Sequence, residues 1–354
     1  MTDTASPPSK PTHGIKTKVL EWLNTEGYPL EFKTARAFEG AGFHVRQGIH
    51  VRNELTGVVR EIDVEADITL ETKTGLLRII HPIECKWSND KPWVSFTSKS
   101  ARIGPGACIN QTMATPLGAA MLWCLAGNKT LQATSLFEAP SRPGFSGKQC
   151  FSKNDLFYSA MQSITTNTDT LLKSYDRPAH KNKYGFSDHV CIAFPCIVVE
   201  GELFEVFHPK NSNDLDAEPV NHIRIHWRGA EARRGFTHID IIRASYASDF
   251  SKKRAKEIRE IAHILHDSKL NIEQCQEAGS LNSLRVENTA RGTIGLPPLL
   301  YAIKLAEQEQ PPPLPPTSPL PPPSAPQPAP AKEEDSHGGL DLTGAPPDLS
   351  TRRS

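Results

Sequence analysis

Residues 59–70 read VREIDVEADITL, and residues 76–87 read LLRIIHPIECKW. In the first stretch Ile62, Val64, Ala66, Ile68 and Leu70 occupy every second position, and Asp63, Glu65 and Asp67 fill the positions between them. A period of two puts these sets on opposite faces of a strand, one apolar and one acidic. In the second stretch Ile83 and Cys85 share one side and Glu84 and Lys86 the other, with about 6–7 Å between alternate residues. The intervening ETKTG, residues 71–75, reads as a turn. If the two strands pair, Asp63, Glu84 and Lys86 converge. Two carboxylates can hold a divalent cation, and a lysine beside them can orient water.

Working outward, residues 15–24 (IKTKVLEWLN) predict an amphipathic helix that packs through Val19, Trp22 and Leu23. A second helix is expected from Pro29 to Gly40 or Gly42, followed by a strand, HVRQGIHV. Glu31 opens that second helix, and Ala35, Phe38 and Gly42 extend the same inward face. A carboxylate at the head of an apolar face is costly to bury unless paired, hydrated or bound to metal. A first-turn glutamate can instead serve the exposed amides of the helix. Glu39 is a weaker substitute because its neighbours place it toward solvent.

Beyond Lys86 the reading gives a strand at WVSFTS and a helix from about Ala107 to Leu125. A helix from about Asn154 to Ser174 and an apolar strand, HVCIAFPCIVVEG, follow. Further strands are expected at ELFEVFH, NHIRIHWRG and FTHIDIIRA, extending one sheet. In SKKRAKEIREIAHILHD, from Ser251, the residues Ala255, Ile258, Ile261, Ala262 and Leu265 form one packed face. Its basic start suits either phosphate contact or a solvated surface. A last helix is read in IGLPPLLYAIKLAEQ. The organisation is thus a disordered N-terminus over 1–14, a folded region over 15–270 with a C-terminal β/α extension, a packed extension over 271–310, and a tail over 311–354. Residues 311–330 contain 12 prolines in 20 positions. Such a segment has too few apolar groups and backbone donors for a core, and it suits an extended disordered tail.

The ordered set Glu31, Asp63, Glu84 and Lys86 resembles the catalytic core of the PD-(D/E)xK nucleases, the restriction-endonuclease-like superfamily. The phrases GFHVRQG, REIDVEAD and IECKW are similar to Mrr-like and other restriction-related members, and the match covers roughly residues 25–130. The proline-acid opening of the family is not adjacent to Asp63; Pro82 instead precedes Glu84 by two residues. The resemblance implies an α/β fold, a mixed β-sheet flanked by helices, and hydrolysis of DNA phosphodiester bonds to 5′-phosphate and 3′-hydroxyl ends. It implies that Asp63, Glu84 and the main-chain carbonyl of Cys85 bind Mg²⁺, with Mn²⁺ able to substitute, and that Glu31 joins them, holds a second ion or holds the water shell of the first. Lys86 then positions the attacking water and stabilises developing negative charge. Arg60, Lys73, Lys91, Lys99 and Arg102 are candidates to line a backbone channel. Trp87 and Trp93 either stack on a base or pack.

Composition sets wider bounds. Lysine plus arginine equals aspartate plus glutamate, 40 each, so net charge neither advertises nor excludes a nucleic-acid partner. Seven cysteines at irregular spacing favour reduced thiols in an intracellular, cytoplasmic setting over a disulfide framework. Cys191 and Cys196 read as buried structural thiols, and no Cys/His quartet near them, nor His180 and His189, completes a zinc pattern. ATPLGAAMLWCLAG is too short for a membrane span, and no glycine-rich nucleotide loop is present. The expected partners are DNA and, through the proline-rich tail, a protein with an aromatic groove; a homodimer is compatible with the reading. The competing function is a nuclease-like protein without turnover that binds nucleic acid or acts as an interaction scaffold.

Overall fold

The computed structural model describes residues 12–52, 56–72, 75–87, 91–101, 103–152, 156–176, 189–228, 236–278 and 282–287. Lys73, Arg102, His180, the helix expected over 294–308 and the proline-rich tail lie outside them. Among the described residues the fold is mixed α/β, with seven α-helices and a sheet of 12 strands.

The front of the chain follows the alternation. After α1 (Thr12–Thr25) and α2 (Tyr28–Gly40) come β1 (His44–Arg52), β2 (Val59–Thr72) and β3 (Gly75–Lys86), an antiparallel meander. β4 (Trp93–Thr97) follows, then α3 (Pro105–Gln111), β5 (Met113–Ala114) and α4 (Pro116–Cys124). The single helix expected from Ala107 to Leu125 is therefore split. Pro116 cannot donate to a continuing helix and disfavours helical geometry at Thr115, which adopts an extended backbone. A short α5 (Lys129–Ala133), β6 (Gly144–Gln149) and α6 (Leu156–Tyr175) complete the middle.

The apolar strand HVCIAFPC also divides, into β7 (His189–Ala193) and β8 (Cys196–Val199), around Pro195. Both pieces run parallel to β3, β7 beside Leu76–Ile80 and β8 beside Ile83–Lys86. β9 (Leu203–Phe207), β10 (Asp216–Pro219), β11 (His222–Trp227) and β12 (Thr237–Arg243) precede the long α7 (Ala247–Glu277). The main path runs β1-β2-β3-β8-β12-β11-β6-β4-β9-β10.

Alternate residues of β8 enter different cores, which shows how the sheet is covered. Cys196 and Val198 pack with Leu30 and Phe38 of α2, Met121 of α4 and Ile258 of α7. Ile197 and Val199 pack with Phe157, Met161 and Ile164 of α6. Cys191 and Cys196 are both buried, and burial pushes both thiols well above their ordinary pKa. α7 keeps its expected apolar face but continues past Lys269, since Ile272 and Cys275 extend the same buried stripe. Its basic start is not uniformly a surface: Lys252 and Lys253 are exposed, whereas Arg254 is buried. α1 departs from expectation more, because Val19 and Trp22 are 47% and 54% exposed rather than packed.

β6 (GFSGKQ) was not legible as a strand because its glycines carry no apolar pattern. They are there for space. A Cβ on Gly147 would lie 2.2 Å from Phe157 of α6, and one on Gly144 would lie 2.2 Å from Ile225. Gly147→Ala is expected to cost about 1–3 kcal/mol by overpacking, read as a lower urea midpoint; an unchanged midpoint would mean that both Phe157 and the Val94 carbonyl, 2.5 Å from the added Cβ, yield.

Candidate functional site

The register of β2 and β3 creates a fork. Their ladder runs from Thr72↔Gly75 to Val64↔Ile83. Beyond that pair β2 continues against β1, through Arg60↔Val51, while β3 continues against β8, through Lys86↔Val199. Asp63 and Glu84 are the first residues past the last β2–β3 pair. Where the ladder stops, the Asp63 side chain substitutes for strand backbone: its Oδ2 accepts the Cys85 amide N–H at 2.7 Å.

This bond also orients the Cys85 carbonyl. A strand residue presents its N–H and C=O to the same neighbour. The Lys86 carbonyl faces the other way, accepting from Glu200 N at 3.0 Å. The Cys85 carbonyl therefore faces the fork with Asp63. The Cys85 thiol lies 3.7 Å from Thr34 Oγ1 on α2, and burial raises its pKa well above the ordinary value.

Glu84 and Lys86 lie together as the alternation requires, Lys86 Nζ donating to Glu84 Oε1 at 2.5 Å. Glu84 is buried, and its Oε2 is 3.5 Å from Ser163 Oγ of α6. Asn167, one turn further along α6, donates to the Glu61 carbonyl at 3.0 Å and to Ser163 Oγ at 3.4 Å. Glu31 is half-buried in the first turn of α2, close enough for Glu61, Glu84 and Lys86 to act on it electrostatically. Burial and the charges of Glu61 and Glu84 raise its pKa. Glu39 is exposed at the opposite, C-terminal end of the same helix.

Asp63 responds most strongly. Burial first, and the Glu84 charge second, push its pKa up to about 7, against the opposing pull of the Cys85 N–H bond and Lys86. Its strand neighbours Glu65 and Asp67 make the contrast. Both are buried, but Arg46 pairs with each of them, and Arg78 lies 3.6 Å from Asp67. Tyr175 donates to Glu65 Oε1 at 2.9 Å. Three carboxylates on one strand thus divide into two that arginine neutralises and one, Asp63, with no ion-pair partner among the described residues. Sequence alternation alone could not make that distinction, because the arginines come from β1 and β3.

The fork therefore holds Glu31, Asp63 and Glu84 against one nearby ammonium among the described residues, Lys86, with the exposed Glu61 close enough to act on Glu31. A set of carboxylates and a backbone carbonyl offers hard oxygen donors, which suits Mg²⁺ or Mn²⁺. The raised pKa of Asp63 comes first from burial and second from the Glu84 charge, both of which a bound cation would offset. Glu61, Ser163 and Asn167 were missed in the sequence. Glu61 offered a signal, two residues before Asp63; the α6 pair offered none.

The other candidates separate. Trp93 is fully buried against Phe157, ring centroids 5.9 Å apart, so it packs and cannot stack on a base. Trp87 is 39% exposed and walls a small cleft with Gly27, Lys33 and Glu200. Arg60, Lys91 and Lys99 are exposed. His189 begins β7 and pairs with Leu76 of β3. No helix among the described residues is long and apolar enough to cross a membrane. The chain matches no family model, no curated protein and no solved structure.

Proposed function

We propose that this chain is a metal-dependent endonuclease of the PD-(D/E)xK kind, with a restriction-endonuclease-like fold, that hydrolyses DNA phosphodiester bonds. The observation that supports this best is the β2–β3 fork. It gathers Asp63, Glu84, Lys86 and the Cys85 carbonyl, with Glu31 alongside, and leaves Asp63 without an arginine.

Asp63, Glu84 and the Cys85 carbonyl would hold Mg²⁺, with Glu31 beside them. A divalent cation bound there neutralises phosphodiester charge and lowers the pKa of attacking water. Lys86, held by Glu84, is placed to orient the water and to stabilise charge building on the phosphate. Ser163 and Asn167 fix Glu84 and the Glu61 backbone from the α6 side, so the carboxylates are positioned before substrate arrives. The proline-rich tail is proposed as a docking segment for a protein partner.

The test is cleavage of supercoiled, linear duplex and single-stranded DNA with Mg²⁺ by wild type, Asp63→Ala and Lys86→Ala. Each substitution is expected to lower the rate at least about a hundredfold. Metal-dependent cleavage that survives both substitutions would remove the fork from the mechanism. DNA binding without cleavage by wild type, across substrates and metals, would favour a binding protein. Deleting residues 311–354 should spare cleavage while reducing partner capture.

A further inference from the structure

A second cluster lies away from the fork, on the β11–β12 hairpin. Cys108 of α3, His226 of β11 and His238 of β12 bring one donor atom each to within 4.8 Å of one another. His226 and His238 sit directly opposite in the β11–β12 ladder, with ring centroids 4.7 Å apart. Their exposures are 5% and 9%, and that of Cys108 is 0%. The three residues come from distant parts of the chain, so no short motif announces them.

Two observations point to a ligand at this cluster. Nε2 of His226 and Nε2 of His238 are both buried without a hydrogen-bond partner. Folded proteins pair nearly all such atoms, and two unpaired imidazole nitrogens side by side with a thiol form a ready donor set for an ion. His226 Nδ1 lies 3.3 Å from the Ala101 carbonyl. A carbonyl only accepts, so Nδ1 carries the proton and Nε2 presents a lone pair to the cluster. A backbone carbonyl that fixes one ring nitrogen while the other faces inward is how ligating imidazoles are oriented. The neighbouring positive charge of Arg224 is only partly offset, because Asp240, which engages that guanidinium through bonds of 2.9 and 3.0 Å, also pairs with Arg254; a thiolate at Cys108 supplies the negative charge a cation would need.

We infer that Cys108, His226 and His238 form a binding site for a thiolate- and imidazole-preferring transition ion, Zn²⁺ foremost, which staples α3 to the β11–β12 hairpin. The donor set of one sulfur and two nitrogens is wrong for Mg²⁺ and right for zinc. As the sulfur–metal bond forms, the Cys108 S–H bond breaks and its proton leaves to solvent; nothing is oxidised or reduced. Three protein donors would leave one position of a tetrahedral zinc site for a further ligand. The site is independent of the fork and of any activity there.

Full-length protein stripped of metal and titrated with Co²⁺ tests this directly. One equivalent should bind with a thiolate-to-cobalt charge-transfer absorption, and Zn²⁺ should displace it. Zinc-edge X-ray absorption of the zinc-loaded wild type should give one sulfur near ~2.3 Å and imidazole nitrogens near ~2.0 Å. Cys108→Ser should abolish the charge-transfer band and His238→Gln should weaken binding at least about tenfold, whereas Glu84→Gln should leave both intact. A zinc shell without sulfur, or a charge-transfer band that persists in Cys108→Ser, overturns the assignment. The X-ray measurement needs no variant, so misfolding of the substituted proteins cannot obscure the result.

Discussion

Replacing Asp63 by asparagine should stabilise the metal-free protein at pH 8 by about 2–4 kcal/mol, while eliminating the proposed cleavage. Burial and Glu84 hold the folded-state pKa of Asp63 at about 7, against roughly 3.9 in an unfolded chain. Between those values the folded state binds the extra proton, so the contribution of Asp63 to stability falls as pH rises from about 4 to about 7 and stays low above that. Asparagine removes the penalty and can still accept the Cys85 N–H. Urea unfolding in a chelator at pH 5 and pH 8 measures the effect. The buried neutral His81, His226 and His238 give a slope of the opposite sign in both proteins, so the readout is the difference between them: an Asp63→Asn protein that gains no more over wild type at pH 8 than at pH 5 would contradict the electrostatic account of the fork. Mg²⁺ should recover the loss in wild type and not in the variant, by mass action on the folded state.

The opposite outcome is expected at Asp240 on the same sheet. Asp240→Ala should destabilise by about 3–5 kcal/mol, read from chemical or thermal unfolding. Asp240 is 3% exposed and receives Arg224 in a two-pronged pair, Arg254 Nη2 at 2.8 Å and His222 Nε2 at 2.8 Å. Arg254 also donates to Ser135 Oγ at 3.0 Å, and Arg224 to the carbonyls of Leu136 and Glu138. One carboxylate therefore ties β11, β12, α7 and the loop after α5. Burial alone would raise its pKa, but Arg224 and Arg254 hold it well below the usual carboxylate range. Its contribution is present above the unfolded-state pKa and disappears only in strong acid, so Asp240 adds no slope between pH 5 and pH 8. Removing the aspartate leaves two buried guanidinium groups uncompensated. A loss under about 1 kcal/mol would show that water reaches them, as at exposed pairs.

These two aspartates mark the limit of reading the sequence alone. Asp63 and Asp240 both sit amid alternating apolar residues, in EIDVEAD and HIDIIRA. What separates them is which cations other elements deliver, and Arg254 arrives from a helix whose basic start suggested a surface. Local periodicity revealed β2, β3, α2 and the facing of Asp63, Glu84 and Lys86, because those depend on neighbours in sequence. It did not reveal the breaks at Pro116 and Pro195, the glycine-bearing β6, the exposed face of α1, or the Cys108/His226/His238 cluster. Each of these is settled by packing between distant segments, which a single strand or helix pattern does not encode.

The division of β3 between two later strands has a consequence for how the chain folds. On one side β3 pairs with β2, its immediate predecessor, so the fork and its acids assemble from nearly contiguous chain and can form early. On the other side its partners β7 and β8 arrive roughly a hundred residues later. Until then the apolar edge of LLRIIHPIEC is an open template for another copy of the same segment. The part of the protein that carries the proposed chemistry is thus quick to form and slow to be protected, and during synthesis it is where self-association would begin.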